Sequence, residues 1–129
     1  MTSIESYKDL KVWQVAMDLA VAIYAATSTF PQSELYGLSS QMRRAATSVA
    51  SNIAEGHGRE STGSYVDFLK MARGSLKEVE TQIILSERLK LLAWEQFQNL
   101  QGLTSQLGKM LNSLIRSLQD KLPGGFSED

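Results

Sequence analysis

At 129 residues, with 43% apolar and 21% charged side chains, the chain is long enough for one buried core and too short for two of ordinary size. Its balance is that of a folding polypeptide and not of a disordered one. Thirteen basic against fourteen acidic residues leave a formal net charge of −1, so any affinity for nucleic acid or anionic lipid must come from a local patch. Cysteine is absent, which excludes disulfide staples and thiolate–metal sites and makes a reducing cytoplasm the expected compartment.

The opening residues Met1 to Ser6 are mostly polar and form no basic, apolar leader, so export is not expected. The most apolar run, Val12 to Ala26, is interrupted by Gln14 and Asp18 and falls short of the roughly 20 residues that cross a bilayer. No membrane association is expected. The two prolines, Pro31 and Pro123, fall where helical periodicity stops, and no segment alternates as a half-buried strand does. Four helices and no sheet are therefore predicted.

The first helix is predicted from about Asp9 to Ser28, with Leu10, Trp13, Met17, Ala20, Tyr24 and Thr27 on the face that enters the core. Val12, Val15, Ala16, Leu19, Ala22, Ile23 and Ala26 occupy the rest of the cylinder. A helix apolar on most sides is covered on most sides, so Val12, Val15 and Leu19 are read as a second contact surface for self-association; the alternative is a helix sunk deep in its own bundle. The second helix begins near Gly37 to Ser39 and ends at Gly56, with Leu38, Met42, Ala45, Val49 and Ile53 inward. Gly56, followed by Gly58, is expected to supply the positive φ that ends a helix cheaply. Arg44, Ser48, Ser51 and Glu55 share a polar stripe suited to an internal ion-pair network.

The third helix follows a Ser61 or Thr62 cap and runs to about Leu89, roughly 40 Å at 1.5 Å per residue. Tyr65, Phe68, Leu69, Ala72, Leu76, Val79 and Ile83 face inward, and Gly74 lies opposite, either to admit a neighbouring backbone or as a tolerated surface glycine. The fourth occupies about Trp94 to Leu122, with Leu100, Leu103, Leu107, Met110, Leu111, Leu114 and Leu118 on one face. Four amphipathic helices with short connections define an all-α, up-and-down four-helix bundle over residues 1–122, with 123–129 as a flexible tail.

Catalytic constellations do not stand out, and no enzyme activity is expected. The single histidine, His57, lies between two glycines with no His or Cys to complete a metal site, and Glu-x-x-His motifs of di-metal bundles do not occur. Gly56 to Gly63 follows a helix and lacks the Gly-Lys-Ser/Thr ending of a phosphate loop. Neither cofactor nor metal is called for. Charge is more informative: between Gln41 and Lys77, six basic residues (Arg43, Arg44, Arg59, Lys70, Arg73, Lys77) face three acidic ones, a local balance of +3. Lys70, Arg73, Lys77 and Arg88 fall within about 60° on the third helix, a basic strip fitted to a phosphate backbone or an acidic partner unless it is simply a solvated charged face bordered by Glu80 and Glu87.

Several motifs in order carry a resemblance: Tyr7-Lys8-Asp9-Leu10-Lys11-Val12-Trp13-Gln14, Phe30-Pro31, Glu34-Leu35-Tyr36-Gly37-Leu38, Gln41-Met42-Arg43-Arg44-Ala45-Ala46, Asn52-Ile53-Ala54-Glu55-Gly56 and Ala72-Arg73-Gly74-Ser75-Leu76. Over about residues 7 to 92 the chain resembles the four-helix proteins encoded in 23S rRNA intervening sequences, and it is similar to the accessory variability determinant of diversity-generating retroelements. The resemblance implies a barrel-like homopentamer. For the accessory members it implies binding of RNA or DNA and of a reverse transcriptase through basic surfaces, although those proteins tend to be basic whereas this chain has a sequence pI near 5.8. The leading expectation is a non-catalytic homo-oligomer that contacts nucleic acid or a reverse transcriptase through Arg43, Arg44, Arg59, Lys70, Arg73, Lys77 and Arg88, with Val12, Val15, Leu19 and Gly74 at the subunit interface. The alternative is a scaffolding oligomer that binds a protein partner and no nucleic acid.

Overall fold

The computed structural model describes residues 4–123; Gly124 to Asp129, which make up all but one residue of the predicted tail, lie outside the described residues. A 3-10 turn, Tyr7–Asp9, precedes helix α1, Lys11–Thr27. It is closed by a capping box in which the Ser6 hydroxyl accepts from the Lys8 amide at 3.1 Å and the Asp9 carboxylate accepts from the Ser6 amide at 3.2 Å. A second 3-10 turn, Gln32–Glu34, leads to α2, Leu38–His57, followed by α3, Thr62–Arg88, and α4, Trp94–Gln119. No strand occurs among the described residues. Successive helices pack on one another and α4 closes against α1, while the diagonal pairs do not approach. This is the predicted up-and-down bundle. Among the described residues no helix is long and apolar enough to cross a membrane.

The inward stripes of α2, α3 and α4 lie largely where periodicity puts them, with Leu38, Met42, Ala45, Val49 and Ile53 of α2 meeting Leu69, Ala72, Leu76, Val79 and Ile83 of α3 and Leu100, Leu107 and Leu111 of α4. Tyr65 and Phe68 are half-buried and Val66 replaces them in the interior; Phe97 and Ile115 join the α4 stripe, and Leu103, Met110, Leu114 and Leu118 sit at its margin.

The first helix departs from its predicted orientation in part: Thr27 is buried as predicted, and Leu10, Trp13 and Ala20 are half-buried at the edge of the core. Val12, Val15 and Leu19, expected at a subunit interface, are 5%, 6% and 0% exposed, and with Ala16, Ile23 and Ala26 they form the α1 share of the core. Met17, Val21 and Tyr24 point outward. Both stripes satisfy the 3–4 spacing, so periodicity alone cannot rank them. What separates them is shape: branched aliphatics and alanines fill a close-packed interior without polar atoms, whereas Trp13 and Tyr24 carry a polar tip that keeps access to water.

The connections are specified locally. Ser61 caps α3 by accepting from the Ser64 amide at 3.1 Å. At the other end of α3 the Leu91 amide donates to the Ser86 carbonyl and the Lys90 amide to the Glu87 carbonyl, both at 2.9 Å, with Lys90 in the left-handed region at φ 61°. This double closure stops α3 and reverses the chain into α4.

Gly56 plays a different part from the one periodicity assigns it. It lies inside α2 with ordinary helical backbone, and a Cβ built on it would stand 2.7 Å from Phe68 Cβ and 3.0 Å from Tyr65 Cδ1. Glycine is needed here because the last turn of α2 runs against the first turns of α3. Gly56→Ala is expected to destabilise the protein by about 1–2 kcal/mol, overpacking outweighing the better helix propensity of alanine. Urea unfolding followed by circular dichroism reads this directly, and an unchanged midpoint would contradict the close approach.

Candidate functional site

The seven candidate cations do not form one surface. Arg43 is held in the α1–α2 seam: its Nε donates to Thr27 Oγ1 at 2.8 Å and its guanidinium lies 4.8 Å from the centre of the Tyr24 ring. Arg59, in the α2–α3 turn, covers the Phe68 ring at 4.6 Å and pairs with Glu55 at 3.4 Å, so this polar stripe of α2 ends in one local ion pair and not in a network. Arg44 is exposed and lines a shallow groove of about 250 Å³ between α2 and α3, beside Ser48, Ser75 and Glu78. These three arginines fasten or border neighbouring helices at three separate places.

Lys70, Arg73 and Lys77 do come together, on the side of α3 that faces α4. Arg73 Nη1 donates to Asn112 Oδ1 of α4 at 3.1 Å, and Lys77 lines a groove of about 490 Å³ whose α4 wall includes Lys109, Ser105, Gln101 and Asn112. Periodicity read within α3 could not supply that second wall. Trp94, Gln98, Gln101, Ser105, Lys109, Asn112 and Arg116 recur at three or four along α4 and form one ridge, in which Lys109 and Arg116 are the cations sequence reasoning missed. Their signal was present but diluted, because most members of the ridge are neutral. Glu80 is the acid lining the groove, and Lys77 pairs with it at 3.5 Å. Arg88 is exposed, eleven residues beyond Lys77 and thus about 16 Å further along the axis, separated from the cluster by Glu80 and Ile84.

On the opposite side of the bundle, α1 and α2 enclose a groove of about 510 Å³ lined by Trp13, Met17, Ala20, Val21, Tyr24 and Ala50 among others, with no charged residue in its walls. The Tyr7 ring closes its end by packing edge-on to Trp13 at 5.2 Å. Val21, 66% exposed, stands on its lip. Gly74, the remaining interface candidate, is exposed on α3, and a Cβ built there would meet nothing within 4 Å beyond its chain neighbours and its own helix backbone.

His57 ends α2, half-buried, with its ring edge-on to Tyr65 at 5.8 Å. Burial raises the Tyr65 hydroxyl above its ordinary pKa of 10.0. A folded-state value above the unfolded one favours the protonated phenol in the native protein, so this contribution is complete below pH 10 and is lost as pH rises through the folded value. Alkaline unfolding is therefore expected to begin above about pH 10 and to be less steep in Tyr65→Phe; identical alkaline profiles would show that the hydroxyl is not desolvated. Among the described residues no group of three His, Asp or Glu side chains is placed to hold a metal ion.

Fold and site together define an antiparallel helical bundle with two dissimilar grooves on opposite flanks, one cationic and one apolar. The chain belongs to the 23S rRNA-intervening sequence protein family, whose model matches residues 8–113. Among solved structures it is similar to a protein of unknown function from the S23 ribosomal protein family of Bacteroides thetaiotaomicron, with a TM-score of 0.74 and 24% sequence identity over 81% of this chain and 98% of that one. No curated protein matches the chain.

Proposed function

We propose that the chain is a non-catalytic, homo-oligomeric binding protein that holds RNA along the α3–α4 seam and associates with further copies through the α1–α2 face. The observation that carries the RNA reading is the pairing of two cationic rows, Lys70, Arg73 and Lys77 on α3 with Lys109 and Arg116 on α4, across a groove whose wall offers the neutral hydrogen-bonding groups of Gln101, Ser105 and Asn112. Phosphates are met by cations and sugar hydroxyls by amides and hydroxyls. A net charge of −1 is compatible with this because the charges are segregated and not uniform.

Self-association is supported by the uncharged α1–α2 groove and the protruding Met17, Val21 and Tyr24 beside it, which give one face both a recess and a ridge. Five copies is the stoichiometry implied by the resemblance to the accessory retroelement proteins, and a reverse transcriptase is the narrower protein partner that resemblance implies. Structured RNA retained at 50 mM salt and released by 200 mM, together with an oligomeric mass by light scattering, is the expected result. No retention at low salt would leave the scaffolding oligomer as the better reading, and a monomeric mass would remove the ring.

A further inference from the structure

Trp94 is 61% exposed, an uncommon state for the largest side chain and one that neither the bundle core nor the cationic groove uses. It is the first residue of α4 and leads the ridge that continues through Gln101, Ser105, Lys109 and Asn112 to Arg116. At 1.5 Å per residue it stands about 33 Å from Arg116 and about 10 Å beyond Gln101, in line with the groove and past its last cation on α4. The indole is not adrift: it rests on Phe97, ring centres 5.5 Å apart and planes 36° from one another, which fixes it while leaving it open to solvent. Arg88, far along the axis from Lys77 and two residues before the exposed Lys90, is exposed at the end of α3, the same end of the bundle. The groove itself contains no aromatic side chain, so it can follow a phosphate backbone but cannot stack a base.

We infer that Trp94 is a base-stacking residue: it takes an unpaired nucleobase flanking a paired segment whose backbone lies along the α3–α4 seam, with Arg88 meeting the phosphate beside that base. This rests on the RNA reading of the seam. A span of about 33 Å corresponds to roughly a dozen base pairs of an A-form RNA stem, so a short stem fits between Arg116 and Trp94 and its single-stranded continuation meets the indole. Stacking on an aromatic face tolerates any base, so the preference is for the junction between paired and unpaired RNA and not for a sequence.

The test uses the full chain and two RNA hairpins of about twelve base pairs, one blunt and one with a three-nucleotide overhang. Trp94→Ala is expected to weaken the overhang hairpin by about 5- to 100-fold, to leave the blunt hairpin unchanged, and to leave the salt slope intact because no ionic contact is lost. Trp94→Phe is expected to restore most of the affinity. In a Trp13→Phe background, where Trp94 is the remaining tryptophan, the overhang hairpin is expected to quench indole fluorescence and the blunt one is not. Equal loss on both hairpins, or no loss on either while reversal of Lys70, Arg73 and Lys77 still abolishes binding, would overturn the stacking role and leave the seam standing. No effect of either set of variants would remove both. A change in oligomeric mass with RNA affinity untouched would reassign Trp94 to a contact between protein chains.

Discussion

Leu19→Ala is expected to cost about 2–5 kcal/mol of folding free energy, whereas Val21→Glu, two residues along the same helix, is expected to keep full helicity and lower the mass of the assembly. The two substitutions separate the two faces of α1. Leu19 is wholly enclosed, so its truncation leaves a cavity in the core. Val21 stands on the lip of the apolar groove, where a carboxylate is solvated in a lone bundle but would be stripped of water in a contact between copies. Urea unfolding reads the first and light scattering the second. A mild effect at Leu19 with collapse of the fold at Val21 would restore the orientation that periodicity suggested.

Reversing the three cations of α3, in Lys70→Glu, Arg73→Glu and Lys77→Glu together, is expected to lower affinity for structured RNA by more than about 100-fold at 50 mM salt and to reduce the salt slope by about 3, one unit for each phosphate contact removed. None of the three is enclosed, so the helical spectrum should be unchanged. The matched reversal of Arg43, Arg44 and Arg59 is the control. Arg43 and Arg59 already face Tyr24, Thr27, Phe68 and Glu55 of their own bundle, so this set should disturb packing more than RNA binding. Retained affinity in the α3 variant would rule out the seam as the RNA surface.

How much of this was legible in the sequence depends on whether the deciding interaction is local. Helix limits and the inward faces of α2, α3 and α4 follow from spacing, because each has one apolar stripe and a polar remainder. The orientation of α1 does not follow from spacing, since both of its stripes recur at three or four; what ranks them is the stronger hydropathy and branched shape of Val12, Val15, Leu19 and Ile23 against the polar tips of Trp13 and Tyr24. Gly56 was singled out, but its reason, the proximity of Phe68 and Tyr65, exists only once α3 folds back. The candidate cations were all visible as residues, yet which of them share a surface depends on seams between helices: Arg73 meets Asn112, thirty-nine residues away, and that contact brings Lys109 and Arg116 to the same side. Asn112 and Trp94 carry no charge and so escaped a search by charge pattern.

The Arg73–Asn112 contact also fixes the antiparallel register of α3 and α4, since every step forward along one is a step back along the other. Lys77 therefore comes level with Lys109, and Lys70 with Arg116, positive opposite positive at a helix separation of about 8–10 Å, with Glu80 paired to one of the four. Each such pair repels by a few tenths of a kcal/mol in a water-like dielectric. The seam thus carries like-charge repulsion that the buried stripes behind it oppose. Inorganic polyphosphate, which has charge but no base to stack, should relieve that repulsion and raise the thermal midpoint of the protein, an effect the α3 charge reversal would abolish.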